Sequence, residues 1–174
     1  SKTMKKIKPK LPAVYYSQGR NVLKAGNVQE ADALFDKALA LNDKYAKAYY
    51  GKSMVLRSDD SAPMFEQLDK AIELAGAESK SAKYFKKGAR SFLYKEAKAA
   101  VKAKKYQQAL DDLQKAIGYD FEGSKDSDRI YVKIGKAYAG LNKKSDACAA
   151  YKKVTGAKYK KVADYEMQYT LKCY

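Results

Sequence analysis

The stretch from Tyr15 to Leu41, YYSQGRNVLKAGNVQEADALFDKALAL, carries the pattern that decides the fold. Apolar and small residues recur every three or four positions on both sides of a Gly26-Asn27 turn. This spacing predicts two amphipathic helices, at about residues 13–25 and 28–41. One such hairpin cannot bury its apolar faces alone, so it needs similar hairpins to stack against.

The junction of the two helices has its own signals. Gly19 and Ala31 are small enough for two antiparallel helices to approach closely. Asn27 is predicted to cap the second helix with its side chain. Glu30, three residues later, is placed to bond back to the cap residue, which predicts a capping box.

The same periodicity continues along the chain and predicts an all-α protein. After the hairpin at 13–43, further hairpins are expected at 44–76, 79–119 and 127–156, followed by a capping helix at 158–173. The unbroken apolar stripe of residues 80–105 predicts one helix of about 24 residues, some 36 Å long, unless Gly88 kinks it. The capping helix is expected to bury one stripe, formed by Val162, Tyr165, Tyr169 and Cys173.

The N-terminal segment differs from the rest. Residues 1–12 contain five lysines together with Pro9 and Pro12, which predicts a basic flexible arm ahead of the helical domain at 13–174. No apolar run reaches the roughly 20 residues of a membrane span. No apolar stretch follows the first basic residues, so a signal peptide is expected to be already removed or never present. The compartment stays open, with a periplasmic or exported location favoured over a cytoplasmic one.

Charge and composition narrow the function. The formal net charge of +16 favours acidic partners, and many individual lysines are expected simply to solvate the surface. The chain has no histidine, no phosphate-binding glycine loop and no nucleophile elbow, so neither an enzyme nor a cofactor or metal site is predicted. Cys148 and Cys173 are expected to be two buried thiols, because Cys173 lies well past the point opposite Cys148; a bridge that pins the cap is the alternative.

The spacing of aromatic and small residues resembles that of the tetratricopeptide repeat (TPR) family. It is carried by Tyr15, Gly19, Val22, Ala31, Phe35 and Ala38, and again by Tyr131, Gly135, Tyr138, Ala147, Tyr151 and Val154. The resemblance covers roughly residues 12–156, although the proline that ends the family's repeat is absent. It implies a right-handed superhelical solenoid of about four hairpins, whose first helices line a concave groove that binds peptides or partner proteins.

The resemblance also implies which residues face this groove. They are Tyr16, Arg20, Lys47, Tyr50, Met54, Tyr94, Lys98, Arg129 and Lys136. An aromatic row beside a cationic row suits an acidic, extended ligand. The family's carboxylate clamp is missing, because Tyr16, Arg20 and Gly51 stand at three of its positions. The alternative interpretation is that the tyrosines pack the core edges and the lysines extend along the surface.

The predicted function is therefore a scaffold that binds an acidic partner protein or peptide, without a cofactor, either alone or as part of a larger envelope assembly. The rival is a basic helical protein that coats nucleic acid or an anionic envelope surface non-specifically. Residues 80–105 hold ten basic residues against Glu96 alone, which favours the rival. Their scatter around the helix and the scarcity of arginine, the usual base reader, disfavour nucleic acid.

Overall fold

A computed structural model describes residues 10–58, 61–121 and 126–173 of the chain, without the side chains of Ser58 and Ser61. Within these ranges it has nine α-helices and no strand, which confirms the predicted all-α class. The helices are α1 (Leu11–Lys24), α2 (Val28–Leu41), α3 (Ala46–Val55), α4 (Ser61–Ala75), α5 (Lys80–Lys102), α6 (Tyr106–Gly118), α7 (Ser127–Gly140), α8 (Lys144–Lys152) and α9 (Ala157–Tyr165). A 3-10 turn at Leu56–Ser58 follows α3, and a π-helical turn at Glu166–Thr170 follows α9.

The helix bounds agree with the sequence pattern at most places. The long third-hairpin helix is confirmed as α5, which has 23 residues and continues unbroken through Gly88. Helix α1 begins two residues earlier than expected, because Pro12 is accepted within its first turn. Residues 1–9 of the predicted basic arm lie outside the described residues.

The chain divides into two compact units, which we call the first unit (Ser1–Phe85) and the second unit (Lys86–Tyr174); the boundary falls within α5. In the first unit α1 packs on α2, α2 on α3 and α3 on α4, and α1 also contacts α3. In the second unit α6 packs on α7, α7 on α8, and α9 contacts both α7 and α8. Helix α9 thus takes the place against α7 and α8 that α3 takes against α1 and α2.

The turns of three hairpins share the same backbone geometry. The turn residue has a positive φ in each: 92° at Gly26, 61° at Lys104 and 59° at Asn142. The next N–H donates to the carbonyl five residues back, at 3.2, 2.9 and 2.9 Å respectively. This hydrogen bond and the left-handed residue define a Schellman motif, which ends a helix and reverses the chain. Its recurrence is local evidence that the hairpins are copies of one unit.

The predicted capping box is wrong. Asn27 does occupy the N-cap position of α2, but its side chain makes no capping hydrogen bond. Asn27 also closes the Schellman turn of α1, and its ψ of 77° departs from the extended backbone that a side-chain cap prefers. A side-chain cap is found instead at α5, where the Ser79 hydroxyl accepts the Ala82 N–H at 3.0 Å.

An aromatic ring seated on glycine sets the distance between neighbouring helices. Phe35 of α2 is fully buried, and a Cβ atom added to Gly19 or Gly51 would lie 2.7 or 2.5 Å from the ring. In the second unit, a Cβ on Gly135 would lie 2.6 Å from the ring of Tyr151. The expected close contacts at Gly19 and Gly135 are confirmed. The packing of Gly51 on Phe35 was missed, because the sequence pattern had placed this glycine at a ligand-binding position.

The capping helix buries a different stripe from the one predicted. Val162, Tyr165 and Tyr169 are exposed to 40, 60 and 63 %. Ala163 is buried instead, and Tyr159, Met167 and Leu171 pack against the core cluster of Val132, Ala147, Tyr151, Val154 and Ala163. The prediction chose the wrong face of α9, because Ala163 and Tyr159, and not Val162 and Tyr165, face the core before the π-helical turn begins.

The favoured prediction of two free thiols is also wrong, because Cys148 and Cys173 form a disulfide with 5.9 Å between their Cα atoms. Cys173 returns to α8 through a reversal of the chain that the helical pattern does not contain. Lys172 has a φ of 52°, and the Cys173 N–H donates to the Met167 carbonyl at 2.8 Å.

A buried arginine joins α5 to the start of α7 inside the second unit. Arg90 is 1 % exposed and donates hydrogen bonds to Asp120 and, at 3.2 Å, to the Ser127 hydroxyl. Asp120 also accepts the Phe121 N–H and the Ser127 O–H, both at 2.9 Å. Burial alone raises the pKa of Asp120, but these hydrogen bonds and the charge of Arg90 outweigh it, so the pKa is lowered.

Gly135→Ala should destabilise the protein by about 1 to 3 kcal/mol, because its methyl group overlaps the buried Tyr151 ring. Gly118→Ala is the matched control: no atom lies within 4 Å of the added methyl group, and alanine favours a helix by up to about 1 kcal/mol. Urea unfolding followed by circular dichroism measures both. Equal stability of the two variants would contradict the packing described for Gly135.

The double variant Cys148→Ser/Cys173→Ser should lose about 3 kcal/mol of unfolding free energy, since the bridge closes a loop of 25 residues in the unfolded chain. Urea unfolding with and without a reducing agent measures the loss. Reduction should lower the stability of the wild type to that of the variant and leave the variant unchanged. Two titratable thiols in the denatured, unreduced wild type would show that the bridge is absent.

Asp120→Asn should destabilise the protein by about 1 to 2 kcal/mol at pH 7, the lower part of the range for charged hydrogen bonds, because Asp120 is partly exposed. Since the pKa of Asp120 is lowered on folding, its stabilisation is present above an ordinary aspartate pKa of about 3.9 and is lost as the pH falls further. The difference in unfolding free energy between Asp120→Asn and the wild type should therefore become smaller below about pH 4. Asp43→Asn, in an exposed turn, is the control; a pH-independent difference for Asp120→Asn would refute the charge effect.

Candidate functional site

A cavity of about 230 Å³ opens in the first unit among α1, α3 and the first turns of α5. Its lining combines aromatic and cationic side chains: Tyr16, Arg20, Lys47, Lys80, Ser81, Tyr84 and Phe85. Three of these side chains are cations and none is acidic. The cavity therefore presents an aromatic wall under a positive rim.

Tyr16 forms part of the wall and is held from behind by other rings. Its side chain is 8 % exposed, and its ring centroid lies 6.0 Å from that of Phe35 and 6.2 Å from that of Tyr45. Burial raises the pKa of Tyr16 to about 12, against the opposing charge of Arg20. The hydroxyl group is therefore protonated at neutral pH and can donate a hydrogen bond.

Arg20 is the half-buried cation of the cavity. Its guanidinium carbon lies 5.8 Å from the centroid of the Tyr16 ring, within the range of a cation–π contact. Its Nε atom is buried and has no hydrogen-bond partner. An atom that water cannot reach is closed to a ligand as well, so the cavity offers the positive charge of Arg20 and not its Nε donor.

Two of the predicted groove residues on α3 lie away from the cavity lining. Tyr50 is 4 % exposed, stacks on Phe85 with 4.5 Å between centroids, and meets Tyr84 edge-on at 5.6 Å. Burial raises the pKa of Tyr50. Because its ring packs on Phe85 and Tyr84, Tyr50 supports the cavity wall from the core side. Met54 is half-buried. Lys47, from the same helix, does line the cavity.

The remaining predicted residues lie in the second unit. The guanidinium carbon of Arg129 lies 4.5 Å from the Tyr94 ring centroid, and its Nη2 lies 3.3 Å from Asp126. Lys98 is exposed, and Lys136 lies 3.8 Å from Glu166.

Lys133 lies close to two of these cations and was missed by the sequence analysis. Its pKa is lowered by burial and then by the charges of Lys136 and Lys98. The second unit therefore has a positive cluster of its own, on α5 and α7.

Sequence reasoning missed Lys80 and Tyr84, which complete the cavity of the first unit. Of the long helix α5, the sequence analysis assigned only Tyr94 and Lys98 to the groove, and none of the residues in its first turns. Its first turns offered a usable signal, because Lys80 and Tyr84 are four residues apart and share a helix face beside the buried Phe85.

A second cavity, of about 300 Å³, lies among α6, α7 and α8 in the second unit. Its lining is Gln114, Ile117, Tyr131, Ile134, Tyr138, Asp146, Ala149, Ala150 and Lys153. Lys153 lies over the Tyr131 ring, 5.3 Å from its centroid. Because this lining holds one acid and one base, it has no preference for either charge.

The described part of the chain has neither a membrane-spanning helix nor a group of side chains suited to a metal ion. No helix there is long and apolar enough to span a bilayer. No three His, Cys, Asp or Glu side chains of those residues meet in a group that could hold a metal ion.

Comparisons with known proteins point to one family. The family model described as tetratricopeptide repeat matches residues 16–80 and 94–160. A solved structure from a functional characterisation of Pseudomonas aeruginosa PilF shares 19 % identity, with a TM-score of 0.51 over 84 % of this chain. The MamA RS-1 ArsTM double mutant shares 16 % identity, with a TM-score of 0.49; the match covers 92 % of this chain and 85 % of that one. This chain spans only 61 % of the PilF chain. No curated protein matches the sequence.

Proposed function

Because the chain belongs to the tetratricopeptide repeat family, whose proteins are generally non-enzymatic protein-interaction modules, we propose that its first unit binds an acidic segment of a partner protein. The proposed site is the cavity bordered by Arg20, Lys47 and Lys80, with Tyr16 and Tyr84 as its wall. The partner's carboxylate would lie against the cations and an adjacent apolar residue against the rings.

The charge and the aromatic lining of the cavity carry this proposal. Three cations and two tyrosine rings border it, and the guanidinium carbon of half-buried Arg20 lies 5.8 Å from the centroid of the Tyr16 ring. Arginine also binds carboxylates in a paired, charge-assisted geometry. Since no lining residue is acidic, the protein itself offers no such partner within the cavity.

The size of the cavity limits what it can hold. A volume of about 230 Å³ equals that of about eight waters, at roughly 30 Å³ each. This is room for one acidic side chain and its neighbour, so the cavity would act as the anchor of a longer contact. Lys47 and Lys80 are exposed and are therefore screened by salt, whereas half-buried Arg20 is screened less.

Nucleic acid stays the rival ligand that the net charge allows. Of the basic residues of α5, Arg90 is buried against Asp120, and Lys83 lies 3.7 Å from Glu78. These two cations are therefore engaged within the protein. No observed geometry favours a phosphate over a carboxylate, and we propose the carboxylate because the aromatic wall suits a peptide.

The disulfide supports a proposal about location. Disulfides persist in oxidising compartments and are reduced in the cytosol of most organisms. The Cys148–Cys173 bridge is thus in keeping with an exported or periplasmic protein.

Arg20→Gln should weaken binding of an acidic peptide about tenfold or more, which corresponds to one charge-assisted hydrogen bond. Lys47→Gln should have a smaller effect that disappears at high salt, because Lys47 is exposed. The measurement is fluorescence anisotropy with a panel of labelled 12-residue peptides that combine Asp or Glu with Phe or Leu. Lys37→Gln, on the exposed side of α2, is the matched control.

Two comparisons decide between the proposal and its rival. The same peptides with Asn and Gln in place of the acids should bind at least tenfold more weakly. A labelled single-stranded DNA of 12 nucleotides should bind weakly and without dependence on Arg20. Equal binding of the acidic and amide peptides, or tighter binding of DNA that Arg20→Gln abolishes, would refute the carboxylate site.

A further inference from the structure

The C-terminal end of the second unit exposes an ordered apolar stripe. Val162, Tyr165 and Tyr169 are exposed to 40, 60 and 63 %, and the two tyrosine ring centroids lie 5.2 Å apart. Single exposed apolar residues, such as Leu41, are ordinary on protein surfaces. These three differ, because they are adjacent along one helix face and extend over about 10 Å, which is two turns of a partner helix.

The stripe is held firmly from beneath. Tyr169 lies in the π-helical turn Glu166–Thr170, and π turns often mark functional positions. Met167 and Leu171 of the same segment pack on the core cluster, and the Leu171 N–H donates to the Glu166 carbonyl at 2.8 Å. The disulfide of Cys173 fixes the end of the segment to α8. The two exposed rings are therefore preorganised, which lowers the entropy lost when a partner binds.

The charge around the stripe is positive. The two acids of this segment are engaged, since Lys160 lies 3.0 Å from Asp164, and Lys136 lies 3.8 Å from Glu166. The exposed Lys158, Lys161 and Lys172 make no ion pair with the described residues. Lys158 instead lies 5.3 Å from the ring of its neighbour Tyr159.

We propose that this tyrosine face, formed by Val162, Tyr165 and Tyr169 with Lys158 and Lys161 on the same helix, docks an acidic amphipathic helix of a partner protein. The partner would place its apolar residues, spaced by three or four, on the two rings. Its flanking carboxylates would meet the lysines. This surface is separate from the cavity of Arg20 and is independent of the proposed function.

Two other occupants fit the surface less well. A second copy of the chain would bring the same lysines and a net charge of +16, so the two faces would repel. A membrane-bound helix presents a broad apolar face of large side chains, whereas this stripe has three side chains and two of them carry hydroxyl groups. Complementary charge together with the small apolar area favours a protein helix.

The test is a selection from a displayed library of 14-residue helical peptides, performed on the oxidised 174-residue chain. All peptides carry an apolar stripe, and their flanking positions vary among Glu, Gln and Lys. The selected peptides should be enriched in Glu at the flanks. Binding of a selected peptide should weaken at least about tenfold on Tyr165→Ser/Tyr169→Ser and about threefold or more on Lys161→Glu.

Three control variants test whether binding depends on this face and on its rigid support. Leu41→Ser removes an equally exposed apolar residue from the first unit and should leave binding unchanged, as should Arg20→Gln in the proposed carboxylate site. Cys148→Ser/Cys173→Ser should weaken binding severalfold, because the rings lose their rigid support. Circular dichroism checks that each variant keeps its helix content.

The proposal is overturned if no helical peptide is enriched, or if the enriched peptides lack acidic flanks. It is also overturned if Leu41→Ser weakens binding as much as the tyrosine variant does. Vesicles of phosphatidylcholine with phosphatidylglycerol provide the last comparison. Binding to the vesicles that depends on Tyr165 and Tyr169, without binding of any peptide, would assign the face to a membrane and refute the protein partner.

Discussion

The contact between an aromatic ring and a glycine on the facing helix is the constraint on which the packing of each unit depends. Phe35 fills the space left by Gly19 and Gly51, which belong to the first helices of two successive hairpins. Any side chain at either glycine would lie under 3 Å from the ring, so the helices can approach this closely only with glycine there. One buried ring therefore sets the spacing of α1 and α3, and with it the positions of Arg20 and Lys47 beside the cavity.

Helix α9 and the π turn that follows it are held to the second unit by few buried side chains. Helix α9 has neighbours on one side only, and Ala163 is its one fully buried side chain among the described residues. Other interactions compensate for this small buried area. Asp128 of α7 accepts the N–H groups of Thr155 and Gly156, both at 2.9 Å, at the start of α9. The disulfide between Cys148 and Cys173 then fixes the far end of the segment to α8.

Much of the fold follows from the spacing of apolar and small residues alone. That period predicted the helices, the long α5 and the close contacts at Gly19 and Gly135, because each depends on local sequence and on one helix geometry. The failures have two causes. Val162 and Tyr165 were assigned to the buried face of α9, but Ala163 occupies that face. Tyr169 lies in a π turn and Cys173 follows a chain reversal, and both features break the assumed period. No residue type in that segment predicts the π turn or the chain reversal.

Only some of the residues at the candidate site could be predicted from the sequence, for a related reason. Tyr16, Arg20 and Lys47 were found because the family register places them on one face. Tyr50 was assigned to the same face, but its ring is stacked in the core on Phe85. Helical spacing gives the direction of a side chain only to within a fraction of a turn. This is too coarse to tell a residue that lines the cavity from one that is buried in the core behind the lining.

Net charge is a poor guide to the function of such a basic chain, because it does not show which cations are already engaged by acids within the protein. The Lys52 Nζ atom lies 2.9 Å from Asp32 and 2.6 Å from Asp36, and the buried Arg90 forms an ion pair with Asp120. A cation engaged in this way must give up its partner before it can attract a ligand. Among the cations without a nearby acid, those of the Arg20 cavity also have aromatic neighbours. The proposed binding of an acidic segment therefore depends on where carboxylates are absent from the protein surface, more than on the number of lysines.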